Sequence, residues 1–341
     1  MDGAAMTRLR IAVDAMGGDH APAEIVRGCR LAAEEYDHEL LLVGRPGEVG
    51  RELGSLQPSE RLQLIEAEEV IGFDEAPAMA VRRKKDSSIV VAARLLKEGA
   101  ADAMVSAGST GALMAAGLLA LGRIPGIDRP ALAGVMPTPG GRGMLMLDLG
   151  AHSDARPEHL YQWAIMGAIY AERVMGIAHP RIGLANIGTE ASKGNEATRQ
   201  AYQLLAGSRL NFAGNVEGRD IPTGPVDVLI WDGFVGNIVL KYTEGLAGAL
   251  FGMMREELSR DLRSKLGALL ALPAFRRVKG RLDYREHGGA PLLGIRGSII
   301  KCHGSSGAVA VKNGIRVAAA FAAGEVNGLI AERLVSAGGA V

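Results

Sequence analysis

The chain is short of the features that mark several common protein classes. It carries two cysteines in 341 residues, Cys29 and Cys302, far apart and in no CxxC pair. Neither a disulfide framework nor a cysteine zinc site follows, which fits a reducing cytoplasm. Its 38 basic residues are balanced by 38 acidic ones, so the formal net charge is zero and no electrostatic argument for nucleic acid arises. The longest apolar stretch, Ala112 to Leu121, is too short to span a bilayer. Met1 to Arg10 has no apolar h-region, so no secretory signal is expected, and Met6 is an alternative start. There is no GxGxxG after a strand, GxxxxGK[ST], HExxH, EF-hand loop or GxSxG. No low-complexity linker, short repeat or clean domain boundary is visible.

What the chain does have is Ala, Gly, Val and Leu: 48% hydrophobic, only 4% aromatic, 47 glycines. Such a composition suits a close-packed α/β protein with many tight turns. Strand and helix patterns alternate almost without interruption. Strands are expected at 10–15, 40–43, 62–65, 103–105, 144–149, 181–187, 210–213, 227–231 and 299–302, with another beginning at Arg129-Pro130. Helices are expected at 24–36, 87–98, from 112, and over 157–175 and 235–257. One more should start at 193–196, a short one opens at Ala76-Pro77, and a final one runs to about Leu334. Gly44 to Gly47 and Pro137 to Gly143 read as turns. A largely parallel sheet with helices on both faces follows, and ligands then sit at strand C-termini.

Most polar clusters fall at those strand ends. Asp102 to Gly117 reads as strand, small-residue turn and helix start. Ser106, Gly108, Ser109, Thr110 and Gly111 thus form either an anion site or a plainly capped helix. Asp14, Gly17, Gly18 and Asp19 place two carboxylates around a Gly-Gly turn, to orient a donor, bind a metal or cap a helix. Asn186, Glu190, Lys193 and Asn195 share one loop, where a lysine beside a helix start suits an anion. Asp232, with Asn237 and Lys241 on one helix face, follows another strand. Lys301, His303, Ser305 and Ser306 form the most reactive-looking cluster, with His303 a candidate general acid. Strand alternation turns Cys302 away from His303, against a Cys/His nucleophile pair.

Residues 258–284 mix Leu262, Leu266, Leu269, Leu270, Leu272 and Phe275 with seven basic residues from Arg260 to Arg281. This suits an interfacial amphipathic element that rests on anionic lipid or buries against a second subunit. Pro273 is expected to split it into a helical hairpin. The basic run Arg82 to Lys85 and this segment are candidate surfaces for an acidic partner.

Nine motifs then occur together and in order: DAMGGD (14–19), SAGSTGAL (106–113), RPAL (129–132), LDLGA (147–151), NIGTEASKGNE (186–196), GNVEGRD (214–220), DGFVGNIVLK (232–241), APLLG (290–294) and KCHGSS (301–306). In this the chain resembles the bacterial phosphate acyltransferases over residues 10 to about 330. His152 and Thr189 depart from the pattern, which carries Asn and an acidic residue there.

The resemblance implies a three-layer α/β/α sandwich of the isocitrate/isopropylmalate dehydrogenase-like group, with two intertwined halves forming a single unit over 1–341. That fold is shared with phosphate acetyltransferases. It implies acyl phosphate made from acyl-acyl-carrier-protein and inorganic phosphate, without a nucleotide cofactor, and assigns no metal-ligating residue. It also implies a homodimer, peripherally bound to the inner face of the cell membrane, feeding a membrane glycerol-3-phosphate acyltransferase. On that basis the Ser106–Gly111 nest and Lys193 cradle phosphate. His303, Lys301 and the Ser305 and Ser306 amides serve the oxyanion and leaving sulfur, while Asp14, Asn186, Asp232 and Asn237 orient them. A metal- and NAD-dependent β-decarboxylating dehydrogenase and a non-catalytic membrane scaffold docking the carrier protein are the rival readings.

Overall fold

A computed structural model describes residues 8–54, 60–282 and 288–337 of the chain. Its strands fall into two sheets. The first takes β1 (Arg10–Asp14), β2 (Glu39–Gly44), β3 (Leu62–Glu66) and β4 (Ala103–Ser106) from the start of the chain. It regains β11 (Ala290–Leu293) and β12 (Ser298–Lys301) from the end, and β5 (Ala131–Leu132) closes it. The order is β3-β2-β1-β4-β12-β11-β5. The second sheet holds β6 (Gly134–Met136), β7 (Met144–Leu147), β8 (Ile182–Asn186), β9 (Phe212–Glu217) and β10 (Val228–Ile230), in the order β6-β7-β10-β8-β9. Pairing is parallel except at β11–β12, β11–β5 and β6–β7.

The first sheet is covered on both faces, as its apolar strands require. Ile11 and Val13 of β1 pack with α1 (Ala23–Glu35) and α10 (Ala308–Ala323). Ala12 and Met104 pack with α4 (Ser88–Lys97) and α5 (Thr110–Ala120). The expected α/β/α layering is therefore present. On the second sheet, α6 (Pro157–Arg173) buries Trp163 and Tyr170 almost completely.

The expectation of one sheet with one polar edge needs correction. Residues 131–136 pair with β11 through Ala131–Leu132 and with β7 through Gly134–Met136. Strand β5 runs parallel to β12, because both are antiparallel to β11. Strand β7 runs antiparallel to β6. The C-terminal edges of the two sheets therefore approach this short crossover from opposite sides.

Other boundaries differ locally. Gly44 to Gly47 is not a free turn, because Pro46 opens the helix α2 (Pro46–Gly54). The strand expected from Arg129 begins at Ala131. Strand β11 escaped notice, since Pro291 breaks its pattern. The final helix is two, α10 and α11 (Val326–Ala337), parted at Gly324.

The 258–284 segment also differs. Helix α8 (Gly233–Leu258) ends at Ser259, and α9 (Leu262–Leu282) contains Pro273 without a break. The division falls at Ser259–Asp261, where the Asp261 carboxylate accepts the Ser264 N–H at 2.9 Å and starts the new helix. Pro273 costs the Leu269 carbonyl its helical donor, but that turn is exposed and water can serve it. Residues 283 and 284 of the segment lie outside the described residues. Among the described residues no single helix is long and apolar enough to cross a membrane.

Candidate functional site

Three neighbouring strands of the first sheet end in register on Asp14, Ser106 and Lys301. In-register residues of parallel strands share a face, so three polar side chains form one row. All three are buried. The Ser106 hydroxyl donates to Asp14 Oδ2 at 2.6 Å and accepts the Gly108 N–H at 3.0 Å. Asp14 Oδ1 accepts the Met16 N–H at 3.2 Å. Lys301 Nζ donates to the Cys302 carbonyl.

Burial pushes the Asp14 carboxyl above the usual carboxylate range, against the pull of Ser106, Ser88 and Lys301. Burial likewise pushes the Lys301 amine down, although Asp14 and Asp19 oppose it. Both shifts favour the neutral forms of the two groups.

Asp14 lines a cleft of about 170 Å³ with Met16, Gly17, Gly18, Gly108, Ser88, Ile89 and the loop Val70–Phe73. Gly17 is required there: a Cβ would stand 2.5 Å from Asp14 Oδ2 and 2.7 Å from the Gly108 nitrogen. The 303–307 loop joins the same site, because the Asp19 N–H donates to the Gly304 carbonyl at 2.8 Å. Sequence clusters nearly 300 residues apart thus meet in one place.

Individual predictions divide here. Ser109 is the N-cap of α5, accepting the Ala112 N–H at 3.4 Å. The Thr110 and Gly111 N–H groups, in the first turn of α5, have no acceptor among the described residues. Gly111 also packs on Pro77, opening α3 (Pro77–Arg83), where a Cβ would meet the ring at 2.7 Å. His303 is exposed, its Nδ1 accepting the Ser305 N–H at 3.2 Å and lying 2.8 Å from the Ser305 hydroxyl, while Cys302 is buried, on the opposite side as strand alternation demands. Ser306 is buried. The N-terminus of α10 is already served, because the Ala308 N–H donates to Glu24 Oε2 at 2.8 Å. A second anion there would face that carboxylate, so Ser305 and Ser306 are weaker candidates than their sequence suggests.

Asn186, Glu190, Lys193, Asn195, Asp232, Asn237 and Lys241 all belong to the second sheet's edge. Lys193 thus stands on a different sheet from the Ser106–Gly111 turn, whereas Lys301 is in register with Ser106 on the neighbouring strand. Asn186 Nδ2 donates to the Lys193 carbonyl at 3.1 Å, which shapes the loop. The exposed Lys193 ammonium pairs with no carboxylate among the described residues. Glu190 holds the loop through its carbonyl, which accepts from Asn215 Nδ2. Asn195 caps α7 (Glu196–Ala206) and Asp232 caps α8, each by accepting an N–H at 2.9 Å. Lys241 is exposed one turn beyond Asn237, which packs against Gly150.

Sequence reasoning missed Asp148 as a site residue. It is fully buried and accepts four backbone N–H groups, from Leu132, Gly150, Ala151 and His152, at 2.7–3.2 Å. The LDLGA motif was its only signal. Asp148 ties the β7 loop to the crossover at Leu132, where the two sheet edges meet. Burial outweighs the four N–H groups and raises its carboxyl to about 6. The native state therefore binds this proton more tightly than the unfolded chain. The resulting stability is full below the unfolded value of 3.8 and is lost as pH rises through about 6. A side-chain carboxyl resonance titrating near pH 6 and vanishing in Asp148→Asn is expected by carbon-13 NMR.

Comparison with solved structures identifies the fold. A phosphotransacetylase from Streptococcus pyogenes superposes with a TM-score of 0.64 at 19% identity, covering 93% of this chain and 94% of that one. The EutD phosphotransacetylase from Staphylococcus aureus gives 0.59 at 16% identity, covering 93% and 95%. The chain thus has the phosphotransacetylase fold. Its sequence narrows this further. The family model described as fatty acid synthesis protein matches residues 9–328. The phosphate acyltransferase of Desulfitobacterium hafniense (strain DSM 10664 / DCB-2) is 58% identical over 311 residues, 91% of this chain and 93% of that protein. That of Moorella thermoacetica is 55% identical over 334 residues, 96% and 98%. The chain belongs to this family, the phosphate acyltransferases.

Proposed function

We propose that the protein transfers a long-chain acyl group from acyl-acyl-carrier-protein to inorganic phosphate, the entry step of bacterial phospholipid synthesis. The observation that carries this for the site is the Asp14–Ser106–Lys301 row beside a cleft sized for a small anion. A phosphate oxygen attacks the thioester carbonyl, the new C–O bond forms, the C–S bond breaks, and the sulfur leaves as a thiol with the proton that the attacking hydrogen phosphate gives up through Asp14. Phosphate is already a nucleophile, so positioning and charge control are the enzyme's work. In this reading the N–H groups of Thr110 and Gly111 at the start of α5, left without acceptors among the described residues, stabilise the anion's charge, and Asp14, whose carboxyl burial holds above the usual range, supplies an O–H to a phosphate oxygen. Ionised Asp14 would repel it. In this reading Lys193 and Asn186, on the C-terminal edge of the second sheet, serve the same phosphate from across the crossover.

Incubation with palmitoyl-acyl-carrier-protein and phosphate, followed by hydroxylamine trapping, should yield hydroxamate only when phosphate is present. No phosphate-dependent product would end this reading. The site also predicts a pH effect: the KM for phosphate should rise as pH climbs through the raised pKa of Asp14. A KM that falls over that range would contradict the assigned proton. The rival dehydrogenase reading lacks a donor set, for no three His, Cys, Asp or Glu side chains among the described residues are placed to hold a metal.

The same reading extends to a homodimer resting on the inner membrane surface and serving a membrane glycerol-3-phosphate acyltransferase. Its support is exposed apolar surface. Leu262, Leu266, Leu269 and Leu270 of α9 are 61–84% exposed, and Phe275 is half-buried. The apolar surface also begins earlier than 258, with Phe234 and Tyr242 of α8 exposed. Leu266→Glu with Leu270→Glu should abolish flotation with anionic vesicles while hydroxamate formation continues. Loss of the dimer with unchanged flotation would assign α9 to the subunit interface instead.

A further inference from the structure

The cleft over Asp14 is too small for the donor it must serve. Its volume of about 170 Å³ holds about five or six water-sized groups. That accommodates phosphate and a thioester carbonyl, but not a long hydrocarbon chain. The chain beyond the carbonyl has to leave over the rim.

The rim has one distinctive side. Of the residues lining the cleft, Phe73 is the only large apolar side chain that is mostly exposed, at 57%. Ile71 and Ile89, which line the same cleft, are buried. The ring also reaches across the mouth. Its Cζ stands 3.5 Å from where a Cβ on Gly304 would lie, so Phe73 spans from the 70–76 loop to the 303–307 loop.

The loop that carries it is fixed. Lys84 Nζ donates to the Val70 carbonyl at 2.7 Å and to Glu75 Oε1 at 2.6 Å. The same Glu75 oxygen accepts the Gly72 N–H at 2.7 Å. A polar clamp thus holds an aromatic ring out over the cleft. Leaving an exposed phenyl ring in water gains nothing for folding, whereas an alkyl chain laid on it would shed apolar surface from both partners.

We propose that Phe73 is the specificity-determining platform for the acyl chain, carrying the first methylenes beyond the thioester carbonyl. This rests on the acyl-transfer reading above. The contact discriminates by chain length, because a short acyl group ends before it crosses the ring.

The test is a comparison of palmitoyl and butyryl carrier-protein donors by hydroxamate formation. Phe73→Ala should lower the ratio of kcat/KM for palmitoyl over butyryl about tenfold or more, chiefly through the palmitoyl KM. Phe73→Leu should recover most of the ratio. Met79→Ala, equally exposed on α3 but outside the cleft, should leave the ratio unchanged. Equal losses for both donors, or an unchanged ratio in Phe73→Ala, would overturn the assignment. Thermal denaturation of Phe73→Ala should match the parent protein, since the ring is exposed; a large drop would give the ring a structural role and overturn it as well. Wild-type protein that forms no hydroxamate from either donor would instead fail the acyl-transfer reading itself.

Discussion

Replacing Asp14 by Asn should lower the rate of acyl phosphate formation by about 10³-fold and leave the fold intact, because proton transfer by a positioned side chain contributes ~10²–10⁴-fold. Asparagine keeps the size of aspartate. Its oxygen can accept from the Met16 N–H, and its amide can donate to the Ser106 hydroxyl, which retains the Gly108 N–H as donor. What asparagine cannot do is hold or release a proton. Hydroxamate trapping at saturating phosphate, beside a thermal melt, separates the two effects. An Asp14→Asn enzyme within tenfold of the parent would remove Asp14 from the chemistry. The companion change Lys301→Met has a signed consequence. Lys301 lowers the Asp14 pKa, so its loss should raise that pKa and move the phosphate-binding limb to higher pH.

Gly236→Ala should destabilise the protein by about 3 kcal/mol or more, although alanine is the better helix former by ~1 kcal/mol. Gly236 lies in the first turn of α8. A Cβ there would fall 1.9 Å from the Asp148 carbonyl oxygen and 2.4 Å from Trp231 Nε1. Neither the strand-end backbone nor a buried indole can give way by that much, so overpacking wins over propensity. Gly245, farther along α8, has nothing within 4 Å of a Cβ. Gly245→Ala should therefore stabilise by ~0.5–1 kcal/mol. Urea unfolding of the two variants provides the comparison. Opposite signs are expected from the same substitution in one helix, and equal signs would mean that α8 does not dock on the Asp148 loop.

The Asp148 loop shows why part of the site was not legible. Its sequence, Leu-Asp-Leu-Gly-Ala, has no lysine, histidine or hydroxyl cluster to attract notice. Its importance comes from four N–H groups donated by residues 132, 150, 151 and 152, and Leu132 is brought there only by sheet pairing. The same holds for Lys193, whose place on the second sheet, across the crossover from the Ser106 turn, no spacing along the chain records. Conversely, Ser109, Asn195 and Asp232 were recognisable as cap-forming types, and each does cap a helix, since that interaction spans only three residues.

The α9 boundary teaches the same point at shorter range. Proline was the obvious breaker, but Asp261 could start a new helix, and an exposed turn could tolerate Pro273. Local rules name the options; solvent exposure chooses among them.

By itself the sequence determined the α/β class, the elements that lie at strand ends, the helix caps and the family. These follow from hydrophobic periodicity, from side chains acting over a few residues and from motifs kept in order. The tertiary structure decided that there are two sheets meeting at residues 131–136. It decided that Asp14, Ser106 and Lys301 stand side by side, that Asp148 is a buried hub, and that Phe73 overhangs the cleft. Each of these depends on which strands pair and which loops meet. Such contacts join residues tens to hundreds of positions apart, and no local pattern records them.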